Sequence, residues 1–177
     1  MLRRFVKRSG RCCPALLALV FVACGAPEPH TPHSEVDVRR AIEAHIAKRV
    51  EATRTQDIDA YMASVPADLV VHDESGARID RETLRANALR DWSLIPRTLA
   101  IDVTVDSLHT FSDTAATVYT SQRWERLMRQ RTGEVLDTVL TTQSHREQWR
   151  RTSKGWYSYE VTELGGQVWV NGKPYAP

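Results

Sequence analysis

Three groups of side chains have types and spacings suited to chemistry. On the segment that follows Ser34, His45 and Arg49 are one turn apart on a stripe with Val38, Ile42, Ile46 and Thr53. An imidazole and a guanidinium therefore share the face that the apolar residues would bury. Imidazole exchanges protons near neutral pH, whereas guanidinium stabilises an anion without giving up its own proton. Farther along, Tyr119, Ser121 and Arg123 share one strand face, Gln143, His145 and Glu147 a second, and Tyr157 and Tyr159 a third. Polar rows like these line a ligand pocket on a concave face and meet water on a convex one. Alternation pairs the residues but does not choose the face. Asp73 opens the turn Asp73-Glu74-Ser75-Gly76, where its residue type suits turn capping.

The remaining reactive group is a cysteine. Cys12, Cys13 and Cys24 are the only three in the 177 residues, so residues 25–177 hold no thiol and no disulfide. Arg3, Arg4, Lys7, Arg8 and Arg11 precede an apolar run from Cys12 to Ala23, with no acid among them. That is the layout of a signal peptide, residues 1–23, and its apolar run is too short for a spanning helix, which needs about twenty residues. Phe21-Val22-Ala23-Cys24 resembles a bacterial lipobox with Phe in place of the usual Leu. The resemblance implies a diacylglyceryl anchor on Cys24 and a place in the bacterial envelope, with Gly25 favouring the periplasmic side of the outer membrane. Ordinary secretion with cleavage near Ala23 or Ala26 is the alternative. Residues 24–34 read as a Pro-rich tether. His30 and His33 within it lack the further ligands and rigid frame that a metal site needs, so neither metal nor cofactor is expected.

The formal charge of +2 hides an uneven distribution. Without the five N-terminal basic residues, 19 basic face 22 acidic ones, a net −3, which excludes nucleic-acid binding through bulk positive charge. The elements that must position the candidate residues follow from periodicity. Helical stripes cover about 34–53, 57–64 and 80–92, each opened by Ser or Asp. A short strand at 69–72 interrupts them. From Leu99 the period becomes two, through 99–105, 115–129, 135–151 and 156–164, with turns at Ser112-Asp113, Thr132-Gly133 and Ser153-Lys154-Gly155. Three helices followed by consecutive hairpins make an α+β domain over 35–165, with Gly165-Gly166 releasing a tail over 166–177 in which Val168–Val170 can form an extra strand.

The order of these elements, with Gln56-Asp57-Ile58-Asp59-Ala60, the stretch from Pro66 to Gly76, and Gln148-Trp149 through Gly155-Trp156, is similar to the nuclear transport factor 2-like superfamily. SnoaL-like and ketosteroid isomerase-like domains belong to it. The resemblance implies a cystatin-like cone, in which a curved antiparallel sheet wraps a long N-terminal helix around a pocket. It also implies a homodimer through the sheet. The isomerase base corresponds to Asp73. The oxyanion-donating Tyr falls on Arg49, which cannot transfer a proton and would instead pair with Asp73.

Two functional classes follow. One is a non-catalytic envelope domain that binds a small apolar or aromatic molecule, or a protein, with His45, Arg49, Tyr119, Arg123, His145 and Tyr159 as pocket residues. The other is a cofactor-free isomerase, lyase or hydrolase using Asp73 as base. Both are tethered through Cys24, so Cys24→Ser should move the protein from the detergent-extracted membrane fraction to the soluble periplasm. Each buried acyl methylene contributes about 0.8 kcal/mol to the anchor. Unchanged membrane association would remove the lipid anchor.

Overall fold

The structure, a computed structural model, describes residues 34–130, 133 and 135–175. Cys24, the signal segment, His30 and His33 lie outside the described residues. Helix α1 runs Glu35–Thr55, where Ser34 Oγ accepts the Asp37 amide at 3.2 Å and Glu35 and Asp37 face the positive helix end. It stops at Gln56, which turns left-handed at φ 55° and donates from Nε2 to the Ile95 carbonyl at 2.6 Å. Helix α2, Ile58–Ala63, is capped by Asp57, which accepts the Asp59 and Ala60 amides. Helix α3, Arg81–Ser93, is capped by Asp80. The three caps are the residues that the sequence marks as helix starts.

Strands β1 (Val70–His72) and β2 (Arg78–Asp80) form a small hairpin. The long strands follow as β3 (Arg97–Ser112), β4 (Ala115–Arg129), β5 (Leu136–Thr152) and β6 (Gly155–Val170), with β7 (Lys173–Pro174) on β6. They build one curved, unclosed sheet in the order β2-β1-β6-β5-β4-β3. All pairs are antiparallel except β1 with β6, which is parallel. Two bulges bend β6 against β5, leaving Tyr159 and Leu164 as the extra residues. The sequence places a break at Gly165-Gly166, yet β6 continues through it to Val170. Gly166 has no side chain because the β5 backbone passes too close for one: a Cβ there would collide with the Thr142 carbonyl. The glycines permit a close approach instead of ending the strand.

Two apolar clusters form the core. Val38, Ile42 and Ile46 of α1 pack on Leu108, Ala116, Val118, Trp149 and Trp156 of the sheet. Complete burial of Ile42 contributes about 1.5–3 kcal/mol. Met62, Val65, Leu69 and Val71 form the second cluster, with Ile58, Tyr61, Ile79, Leu84 and Val161 against it. Register fixes the inner face of the sheet: Val118 and Thr120 on β4 and Glu147 and Trp149 on β5 are all buried there. Among the described residues no helix is long and apolar enough to cross a membrane.

Gly166→Ala should destabilise the domain by about 1–3 kcal/mol, the usual cost of overpacking, read as a lower denaturant midpoint. An unchanged midpoint would mean that β5 and β6 do not approach as described.

Candidate functional site

A cavity of about 250 Å³ lies between the two apolar clusters. Val50 and Thr53 of α1 and Leu84, Ala88 and Trp92 of α3 form walls, with Val65, Leu69, Val71 and Val161 completing them from the second cluster. Ile101 and Val103 of β3 and Trp124 of β4 close the sheet side. Trp124 is pinned: the Arg126 guanidinium lies 4.2 Å over its ring, donating to the Trp124 carbonyl and to Thr141 Oγ1. The polar groups come from both sides: Gln122, Gln143, His145, Glu147 and Glu163 from the sheet, and Arg49, Tyr61, Asn87 and Asp91 from the helices.

One ion pair crosses the interior. Arg49 on α1 donates from Nη2 to Glu147 Oε1 on β5 at 3.1 Å, and Thr120 Oγ1 donates to the same oxygen at 3.3 Å. The Glu147 side chain is 2% exposed, whereas Arg49 retains 24% because it lines the cavity. Burial alone would raise the Glu147 carboxyl, but the Arg49 charge and hydrogen bond outweigh it and hold the group below its ordinary 4.5. Burial likewise opposes the Arg49 charge, and Glu147 more than restores it. Glu147 Oε2 has no donor within hydrogen-bond geometry, although the Ser158 hydroxyl is near enough to favour the charged form. Because the folded value is lowered, the pair's stabilisation is present above the unfolded value of 4.5. It is lost as pH falls through the lower folded one.

The two interior histidines differ in role. His145 lines the cavity, and burial lowers its proton affinity below the ordinary 6.5; the Glu147 charge opposes that shift and Arg49 adds to it. His45 donates from Nε2 to the Ser64 carbonyl at 3.0 Å and packs edge-on against Trp149 and Tyr157 at 5.3 and 4.8 Å. It joins α1 to the end of α2 and does not line the cavity.

The other sequence-derived candidates lie elsewhere. Asp73 does not meet Arg49. Its Oδ1 accepts from the Ser75 amide and hydroxyl and from the Ala77 amide, at 2.9, 2.6 and 2.8 Å. The Ser75 hydroxyl bond, then the Ala77 amide, hold its pKa below the usual carboxylate value, and the side chain is not part of the cavity wall. The expected Arg49–Asp73 pair is therefore replaced by Arg49–Glu147, because the turn takes the Asp73 carboxylate first. Tyr119 and Arg123 do share a face with Ser121, but it is the outer one. Tyr119 is exposed, Arg123 pairs with Glu125 at 2.9 Å, and Ser121 bonds Asp106. Tyr159 sits at a bulge with the Arg150 guanidinium 5.1 Å over its ring, away from the cavity. The row Gln143, His145, Glu147 lines the cavity as a unit. Sequence reading missed Tyr61, Trp124 and Glu163 as wall residues. For Trp124 the signal was available, since it alternates with Gln122 and Thr120 along β4.

No family model matches the sequence, and no curated protein matches it. The fold, however, matches solved structures. A protein from Novosphingobium aromaticivorans, provisionally named an aromatic ring hydroxylase, superposes with TM-score 0.64 at 19% identity, over 80% of this chain and 100% of its own. A ketosteroid isomerase-like protein from Erwinia carotovora atroseptica gives 0.54 at 15%, over 71% and 95%. A nuclear transport factor 2-like protein from Cytophaga hutchinsonii gives 0.56 at 16%, over 71% and 95%. The chain has the nuclear transport factor 2-like, cystatin-like fold, as the order of its elements implied.

Arg49→Ala should cost about 3–5 kcal/mol, because Glu147 would stay buried without its cation. Arg49→Met combined with Glu147→Gln should recover much of that loss, since no lone charge remains. Chemical denaturation of wild type and the two variants checks both statements. Equal losses in single and double variants would mean that the charges do not depend on each other.

Proposed function

We propose that the chain is an envelope domain, tethered by lipid at Cys24, that binds a compact apolar or aromatic molecule in the cavity beneath α1. The observation that carries this reading is the cavity itself: apolar walls from α1, α3, β1, β3, β4 and β6, with polar side chains set among them on the sheet and on the helices. That combination is usual for small-molecule sites, where apolar area gives affinity and sparse polar groups give orientation. At about 250 Å³ it suits something smaller than the usual drug-sized ligand. Binding without turnover fits the electrostatics, because Arg49 and Glu147 neutralise each other and Asp73 is committed to its turn.

The second reading is a small isomerase, lyase or hydrolase, as the names of some fold neighbours suggest. It moves the base from Asp73 to His145, whose neutral imidazole lines the cavity. Fold alone does not choose between the two readings.

Native mass spectrometry on protein purified from its own membranes should find a small molecule retained by the domain. Ala88→Phe, which fills the cavity from α3, should weaken binding of that molecule about tenfold or more, about 1.4 kcal/mol, with the circular dichroism spectrum unchanged. Undiminished affinity in a folded Ala88→Phe variant would place the ligand outside the cavity. Conversion of the bound molecule by wild type but not by His145→Gln would favour the catalytic reading.

A further inference from the structure

The polar groups of the cavity leave a deficit of positive charge. Glu147 is matched by Arg49 through Oε1, yet its buried Oε2 lacks a donor. Asp91 is answered by Arg90 at 3.1 Å and by the field of Arg126. Glu163 is different. It stands opposite His145 in the β5–β6 register, on the cavity wall, where the Gln143 side chain and the Glu74 backbone favour its charged form. The charged groups acting on it are the carboxylates of Glu74 and Asp73, and none is a cation. Burial and those two carboxylates hold its carboxyl above the ordinary value. His145 is a poor source of the missing charge, because burial lowers its proton affinity.

A partly buried carboxylate facing like charge is unfavourable unless a cation joins it. Resting on the ligand-binding reading above, we propose that the occupant of this cavity is a protonated primary amine on a compact aromatic or apolar body. Its ammonium lies against Glu163 and its body against Trp92 and Trp124. An ammonium brings three donors and no acceptor, which suits a site whose free capacity is for accepting. The ring face of Trp124 is already covered by Arg126, so the carboxylate and not a cation–π contact selects the charge. A carboxylate-bearing ligand of the same shape would meet Glu163 and the orphan oxygen of Glu147 with like charge, and specificity would come from that repulsion as much as from the attraction.

Isothermal titration of the full chain near neutral pH, with 2-naphthylmethylamine, 2-naphthylmethanol and 2-naphthoate as probes, tests this. The amine should bind about tenfold or more tightly than the alcohol, with the carboxylate weakest. Glu163→Gln should remove the preference, bringing the amine to within about threefold of the alcohol. The same substitution should raise the melting temperature of the unliganded protein, because it removes an uncompensated charge. Alcohol or carboxylate binding as tightly as amine, or a preference that survives Glu163→Gln, would overturn the amine and leave the ligand-binding reading standing. Failure of all three probes to bind would remove both.

Discussion

The Arg49–Glu147 pair constrains everything around it. Two opposite charges in an apolar interior are stable only together, so the helix and the central strand that carry them are held at one distance and one rotation. α1 must present Arg49 one turn beyond its last fully buried isoleucine, Ile46, and β5 must turn Glu147 inward between His145 and Trp149. Thr120 on β4 supplies the extra hydrogen bond that such a pair requires. The cost of desolvating these charges is met only when helix, β4 and β5 are all in place, which ties the cavity wall to the fold as a whole.

That coupling also explains where the cavity lies. Toward the N-terminus of α1 the interior is filled by Trp149, Trp156, Val118 and Leu108. At its C-terminus the helix is tied by Gln56 to the Ile95 carbonyl, and the second apolar cluster begins on the far side. The space between them is bounded by the ion pair at one end and by Trp92 and Trp124 along its sides. The sheet's polar contribution to this space comes from one face of β5 and its neighbours, while the opposite face carries ordinary exposed pairs such as Arg123 with Glu125.

Likeness to solved proteins at 15–19% identity establishes a shared fold and leaves the chemistry to the residues. Here the residues differ from what an isomerase-like arrangement implies. Asp73 serves as the hydrogen-bond centre of its own turn, and a guanidinium occupies the helix position where a proton donor would act. Two of the acidic side chains that reach the cavity, Glu147 and Glu163, come from β5 and β6, and their surroundings shift them in opposite directions.

The sequence by itself determined the three helices, the first short strand and the four long strands, and their order along the chain. Caps at Ser34, Asp57 and Asp80 and the change of period at Leu99 are local signals, set within a few residues by hydrogen bonding and alternation, and the architecture follows from their order. It also determined that Arg49 faces inward and that Gln143, His145 and Glu147 act as one row, because helical and strand periods are intrinsic to the backbone. Which face of each strand is concave, and which carboxylate meets Arg49, only the tertiary structure decided. Tyr119 and Arg123 share a face as cleanly as His145 and Glu147, yet the direction of sheet curvature sends the first pair to water and the second to the cavity. Continuation of β6 through Gly165-Gly166 was equally hidden, since glycine reads locally as a break and only the closeness of Thr142 shows why none but glycine fits. Partner choice across 98 residues of chain, as between Arg49 and Glu147, depends on distance in space, and no local pattern encodes that distance.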